Sequence, residues 1–146
     1  MAKNDDFDLQ EFLPYLLNQA AEESSLAFQQ AYKNKYGMLR TEWRVLFHLG
    51  IYGRLTATDI VDRARIHKTK ISRAVQKLVD RRFAVRQRSE NDRRQEYLTL
   101  TPAGTAAYED LKKIANDYDA RLESQFTKDE AALLRVMLRR LAGMET

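Results

Sequence analysis

Residues 56–101 read TATDIVDRARIHKTKISRAVQKLVDRRFAVRQRSENDRRQEYLTLT, and their order decides the fold. Thr56-Ala-Thr-Asp59 is a variant capping box, in which a Thr hydroxyl and an acid three residues on satisfy the first free N–H groups of a helix. On that helix Ile60, Val61 and Ala64 face inward. A second helix runs from about His67 to Arg81, with Ile71, Ala74, Val75 and Leu78 on its inward side at three- and four-residue steps. Only Arg65 and Ile66 stand between the two helices before His67, a spacing that describes a helix-turn-helix. Two strand-like runs follow, Phe83–Arg88 and Glu96–Leu100, joined by the polar tip Ser89-Glu-Asn-Asp-Arg-Arg94. A two-stranded hairpin directly behind a helix-turn-helix makes a winged helix.

The flanks read as helices. Asp8 to Tyr36 is one long helical region, with Leu13, Leu17, Ala20, Ser24, Phe28 and Ala31 as a weakly apolar stripe. Pro14 belongs in a first helical turn, so the helix proper starts near Leu13 and Phe7–Phe12 forms an arm or separate turn. Gly37 ends it. Thr41 is the expected N-cap of the next helix, which runs to about Tyr52 on Val45, Leu46 and Leu49, with Glu42 in its first turn and Gly53 as its stop. After the hairpin, Thr101-Pro102 starts a helix to about Ser124 with the stripe Ala107, Leu111, Ile114, Tyr118 and Leu122. Thr127-Lys-Asp-Glu130 is a capping box, flanked by Phe126 and Ala131, for a last helix carrying Leu133, Leu134, Met137, Leu138 and Leu141. The expected architecture is mainly α with a small β-hairpin. It is one domain over 1–146, with a winged-helix lobe at 40–101 and helical dimerisation regions at 7–36 and 102–143.

Charge is segregated along the chain. Between Arg54 and Arg94 stand 13 basic and 5 acidic residues, a net +8, which leaves −4 for the rest of a chain whose total is +4. A basic block between acidic flanks is a footprint for a polyanion. Cysteine is absent, which excludes disulfides, thiolate catalysis and thiol redox sensing. No apolar run is long enough to cross a bilayer, and the N-terminus lacks the apolar stretch of a signal peptide. A cytoplasmic protein is expected.

The helix from His67 carries the candidate chemistry. With Ile71, Val75 and Leu78 buried, the opposite face presents Thr69, Arg73 and Gln76, with Ser72 on one side and Lys70 and Lys77 on the other. In a helix-turn-helix this second helix lies in the major groove of double-stranded DNA, where Arg pairs with guanine and Gln with adenine. Lys68, Lys70 and Lys77 suit backbone phosphates. An ordinary exposed helix mixes charge signs, whereas from His67 to Arg82 only Asp80 is acidic. The arginines of the hairpin tip are then placed for a narrow, negative minor groove; a plain solvated turn is the alternative.

These residues resemble the MarR family of transcriptional regulators. The likeness lies in Leu55-Thr56, Ile60, Lys68-Thr-Lys-Ile-Ser-Arg73, Asp92-Arg-Arg94, Leu98-Thr-Leu-Thr101 and Gly104. It covers about Leu13 to Leu141 in element order and Leu55 to Gly104 in motif detail. The resemblance implies a triangular homodimer of winged helices, closed by its first and last two helices and bound to palindromic DNA. It implies that Arg94 enters the minor groove, that Asp92 braces it, and that Arg93 touches phosphate or shares the groove. It also implies that a small aromatic carboxylate or phenol can act as effector, for which Tyr15, Trp43, Arg44 and His48 are the loosely suited side chains; DNA binding without a small-molecule effector, constitutive or answering to another partner, is the alternative. Two places depart from the family pattern: His67 stands where a small hydroxyl residue caps the recognition helix, and Arg82 where Gly joins that helix to the wing.

Other classes find less support. His48 and His67 are the only histidines, and neither has a carboxylate pair or a metal-ligand spacing beside it. No phosphate-binding glycine loop or nucleophile motif is present, so no enzyme, metal or cofactor is expected. A membrane-surface module would need a bulky apolar helix face flanked by cations, and the basic helix has only a narrow Ile, Ala, Val and Leu stripe. Phe7, Leu9, Phe12 and the Leu133–Leu141 stripe exceed what one small lobe can bury, which independently points to a two-fold dimer.

Overall fold

The computed structural model describes residues 6–92 and 94–144. A short 3-10 turn, Leu9–Glu11, precedes α1 (Leu13–Tyr36), α2 (Arg40–Tyr52), α3 (Ala57–Ala64) and α4 (Lys68–Asp80). Strands β1 (Ala84–Arg88) and β2 (Glu96–Leu100) follow, then α5 (Pro102–Glu123) and α6 (Lys128–Leu141). The chain packs as two compact units that divide within α5 after Lys112. Among the described residues no helix is long and apolar enough to cross a membrane.

The first unit is built around α2 and α4. The α4 stripe Ile71, Ala74, Val75 and Leu78 is buried in full, and Val45, Leu46 and Leu49 of α2 and Ile60 and Ala64 of α3 are buried with it. The start of α2 differs from the expected Thr41 cap. Leu39 occupies the cap position without a side-chain bond, and its carbonyl accepts from Glu42 and Trp43. Glu42, read as an ordinary first-turn acid, is only 4% exposed. Rings of α1 and α2 make an edge-to-face cluster in which Phe28, Trp43 and Phe47 meet at 5.1 Å spacings and Phe47 meets Tyr108 of α5 at 5.2 Å. The same cluster takes in Tyr32, the one buried residue of α1, which lies beside the expected apolar stripe and not on it. Gly50 admits this packing, because a Cβ there would stand 2.5 Å from the Tyr108 ring.

The hairpin is antiparallel, with Ala84 opposite Leu100, Arg86 opposite Leu98 and Arg88 opposite Glu96. Leu55, just ahead of α3, adds a single bridge to Leu98: its N–H donates at 3.2 Å and its carbonyl accepts at 2.7 Å. This third rung joins the helix-turn-helix to the wing. At the base of the hairpin the Thr101 hydroxyl donates to the Arg82 carbonyl (2.7 Å) and accepts from the Gly104 N–H (3.0 Å). One hydroxyl therefore caps α5 and clamps the helix-to-wing junction. Gly104 is required beside it, since any Cβ there would fall 1.9 Å from the Phe83 carbonyl oxygen.

In the second unit, Thr127 and Glu130 form the expected capping box of α6. Arg135 binds Asp119 (2.8 Å) and Glu123 (2.5 Å) and ties α6 to the end of α5. Ala131 is buried, while Phe126, Leu133, Met137, Leu138 and Leu141 remain exposed.

Candidate nucleic-acid interface

The site is built on α4. His67 caps it: the ring Nδ1 accepts from the Thr69 N–H at 3.1 Å, doing with an imidazole what a hydroxyl side chain does elsewhere. In that role Nδ1 carries no proton. Just before it, Arg65 sits in the left-handed region (φ 56) and closes α3 through its N–H on the Val61 carbonyl. Arg44 of α2 reaches the same turn, where its Nη2 donates to the Ala64 carbonyl at 3.1 Å. Burial, and then the charge of Arg40, holds the Arg44 guanidinium below its ordinary value.

With the apolar stripe buried, Lys68, Thr69, Lys70, Ser72, Arg73, Gln76 and Lys77 are all exposed. The helix presents the row expected from the sequence. One member has partners that sequence spacing did not reveal. Gln76 Nε2 donates to Asp80 Oδ1 (2.7 Å), and its Oε1 accepts from Nη2 of Arg86 on β1 (2.8 Å). Arg86 also pairs with Glu96 of β2 at 3.4 Å. Arg86 and Glu96 were not among the expected site residues. Their signal was strand alternation, which puts Arg86 on the same face as the buried Ala84.

Arg82 adopts φ 64. Its N–H donates to Val79 O (3.0 Å) and the Phe83 N–H to Leu78 O (2.8 Å), the two bonds of a Schellman motif. The helix therefore ends as a glycine-terminated helix would, with an arginine held in the left-handed position.

At the wing tip the Ser89 hydroxyl accepts from the N–H groups of Asn91 (3.2 Å) and Asp92 (3.3 Å). Asp92 Oδ1 accepts from the backbone N–H of Arg94 at 3.0 Å. The acid thus fixes the main chain from which Arg94 projects. Arg94 is exposed, and Arg93 lies outside the described residues. Arg54 stacks on the Tyr97 ring of β2, 4.0 Å from its centroid, and supports the wing from the α2–α3 loop.

Of the side chains suited to an aromatic effector, Trp43, Arg44 and His48 lie on α2 and Tyr15 on α1. Trp43 belongs to the ring cluster, and Arg44 holds the α3–α4 turn. His48 Nδ1 lies 2.6 Å from the Arg44 carbonyl and must carry a proton to donate to it. Tyr15 stands in the first turn of α1 and takes no part in the ring cluster.

Residues 36–95 match the sequence model of the MarR family. The chain is 28% identical over 113 residues, 77% of either chain, to the HTH-type transcriptional regulator FarR of Neisseria gonorrhoeae. Its fold superposes on a MarR/EmrR family transcriptional regulator from Acinetobacter sp. ADP1 with a TM-score of 0.83 and 25% identity, covering 94% of this chain and 96% of that one. A mutant MarR from E. coli, solved in complex with operator DNA, shares the fold with a TM-score of 0.82 at 20% identity, covering 94% and 99% of the two chains.

Proposed function

The chain belongs to the MarR family of winged helix-turn-helix transcriptional regulators, and on that premise we propose that it represses transcription by binding palindromic operator DNA as a homodimer. The carrying observation is the α4 surface. Seven polar or basic side chains from Lys68 to Lys77 are exposed opposite a fully buried stripe, and a hairpin with an exposed Arg94 at its tip follows directly. In this reading Thr69, Ser72 and Arg73 face base edges, while Lys68, Lys70 and Lys77 neutralise phosphates. Arg94 enters the flanking minor groove from a main chain fixed by Asp92.

A dimer is supported by apolar surface that each unit leaves uncovered. Phe7, Leu9, Phe12 and Leu13 are between 44% and 61% exposed in the first, and Leu133 and Leu141 are 56% and 59% exposed in the second. A protomer with that much uncovered apolar surface gains from an isologous partner. The test is selection of bound duplexes from a random pool. The expected product is an inverted repeat whose half-sites lie about one helical turn apart. Enrichment of an asymmetric site, or of none, would overturn the proposal.

A further inference from the structure

We infer that Gln76 is a positioning residue that locks the wing to the recognition helix, and that it does not read a base. The inference rests on the proposed DNA-binding role of α4 and refines it. Alternate residues of a strand share a face, so Ala84, Arg86 and Arg88 look the same way, paired with Leu100, Leu98 and Glu96. That face is buried at its base, where Ala84 and Leu98 are each 2% exposed, and becomes charged toward the tip. Apolar packing therefore holds the hairpin only as far out as Leu98, and the outer half depends on polar ties.

The tie is a chain of four side chains. Asp80 accepts from Gln76, Gln76 accepts from Arg86, and Arg86 pairs with Glu96. It runs from the recognition helix across β1 to β2. The chemistry of the end groups fixes the amide. A carboxylate accepts only and a guanidinium donates only, so Nε2 must face Asp80 and Oε1 must face Arg86. Reading adenine would need the same two atoms, Oε1 to accept from N6–H and Nε2 to donate to N7. Both are already engaged by charged partners, whose hydrogen bonds are about twice as strong as neutral ones. Each atom keeps a second N–H or lone pair, but the two charged partners fix the orientation of the amide, and swinging it onto a base edge would break both bonds and release the wing.

Two measurements test this. Amide hydrogen exchange on the DNA-free protein reads the tie without DNA. Gln76→Ala and Arg86→Ala should each speed exchange in β1 and β2 by about 10-fold or more, the loss of the one charge-assisted hydrogen bond that joins helix to wing. The α4 core amides at Ile71 and Val75 should be unchanged, and the double variant should be no faster than Arg86→Ala, which loses the Glu96 pair as well as the bond to Gln76. Unchanged hairpin exchange, or fully additive effects, would overturn the inference. Selection from a random duplex pool then compares wild type with Gln76→Ala. The same half-site bases should be enriched, with weaker protection of the flanking minor groove. Loss of preference at one base pair would show Gln76 to be a reader and overturn the inference. A wild-type protein that enriches no motif would sink the operator proposal instead, while the exchange experiment still decides on the tie.

Discussion

Replacing Arg82 with glycine should stabilise the protein, and replacing it with alanine should not. The backbone there stands at φ 64, where the Cβ of an L residue crowds its own peptide at a cost of about 1–2 kcal/mol. The conformation is enforced from three sides: by the N–H of Arg82 on Val79 O, the N–H of Phe83 on Leu78 O, and the Thr101 hydroxyl on the Arg82 carbonyl. Relaxation to negative φ would sacrifice those bonds. Glycine removes the crowding but loses about 0.5–1 kcal/mol to its freer unfolded chain. The net gain is about 0.5–1 kcal/mol, or about 1–4 °C in Tm for a chain of this size. The Arg82 side chain is exposed, so alanine discards the same charge while keeping the strain. The difference between the two variants isolates the backbone. Urea unfolding of wild type and both variants at one protomer concentration measures it. If Arg82→Gly is no more stable than Arg82→Ala, the strain argument is refuted.

Arg94→Ala should weaken binding to a selected palindrome by about 1–3 kcal/mol, read by fluorescence anisotropy at fixed salt; unchanged affinity would remove Arg94 from the interface. His67→Ser should leave thermal stability nearly as it is, because a hydroxyl can take over the Thr69 N–H, whereas His67→Ala should cost about 1 kcal/mol. Equal losses in the two variants would show that the ring does not act as a cap. The Tyr36 hydroxyl donates to Asp110 at 2.6 Å, and burial, that bond and the Asp110 charge push its pKa from 10.0 up to about 12. A raised pKa favours the protonated form in the folded state. Its contribution is therefore complete below pH 10 and is lost as pH rises through about 12. Tyr36→Phe should flatten the decline of stability over that window, and an unchanged pH slope would exclude the bond as its source.

The fold was legible where periodicity is strong and local. Ile71, Ala74, Val75 and Leu78 announce α4 by spacing alone, and all four are buried. The capping boxes at Thr56 and Thr127 announce helix starts because both partners lie within four residues. Thr41 misled because α2 begins by packing, with Leu39 in the cap position and no side-chain cap to detect. Leu55 stands out in the sequence only as part of the family motif, since one residue that pairs across 43 positions with Leu98 has no period to betray it. The candidate interface divides the same way. Helical geometry dictates which α4 residues face outward. The engagement of Gln76 depends on Arg86, whose position follows from the pairing register of the hairpin and not from any spacing within α4.

The two departures from the family pattern belong to one arrangement. The recognition helix is entered through Arg65 at φ 56 and left through Arg82 at φ 64, and its cap is an imidazole. Glycine would take either left-handed position at less cost, so two arginines there lower fold stability by about 0.5–1 kcal/mol each once glycine's freer unfolded chain is counted. A net stability of about 5–15 kcal/mol can absorb that. Under the proposed function both cations stand at the ends of the one surface that must meet phosphates. Each phosphate neutralised releases counterions and steepens the dependence of affinity on salt by about 0.9 in logarithmic slope. An arginine in such a place weakens the fold at any salt concentration and strengthens association with a polyanion chiefly at low salt. A chain selected only for stability would carry glycine at both ends of α4. One that must hold a polyanion along that helix has a physical reason to tolerate the strain at both.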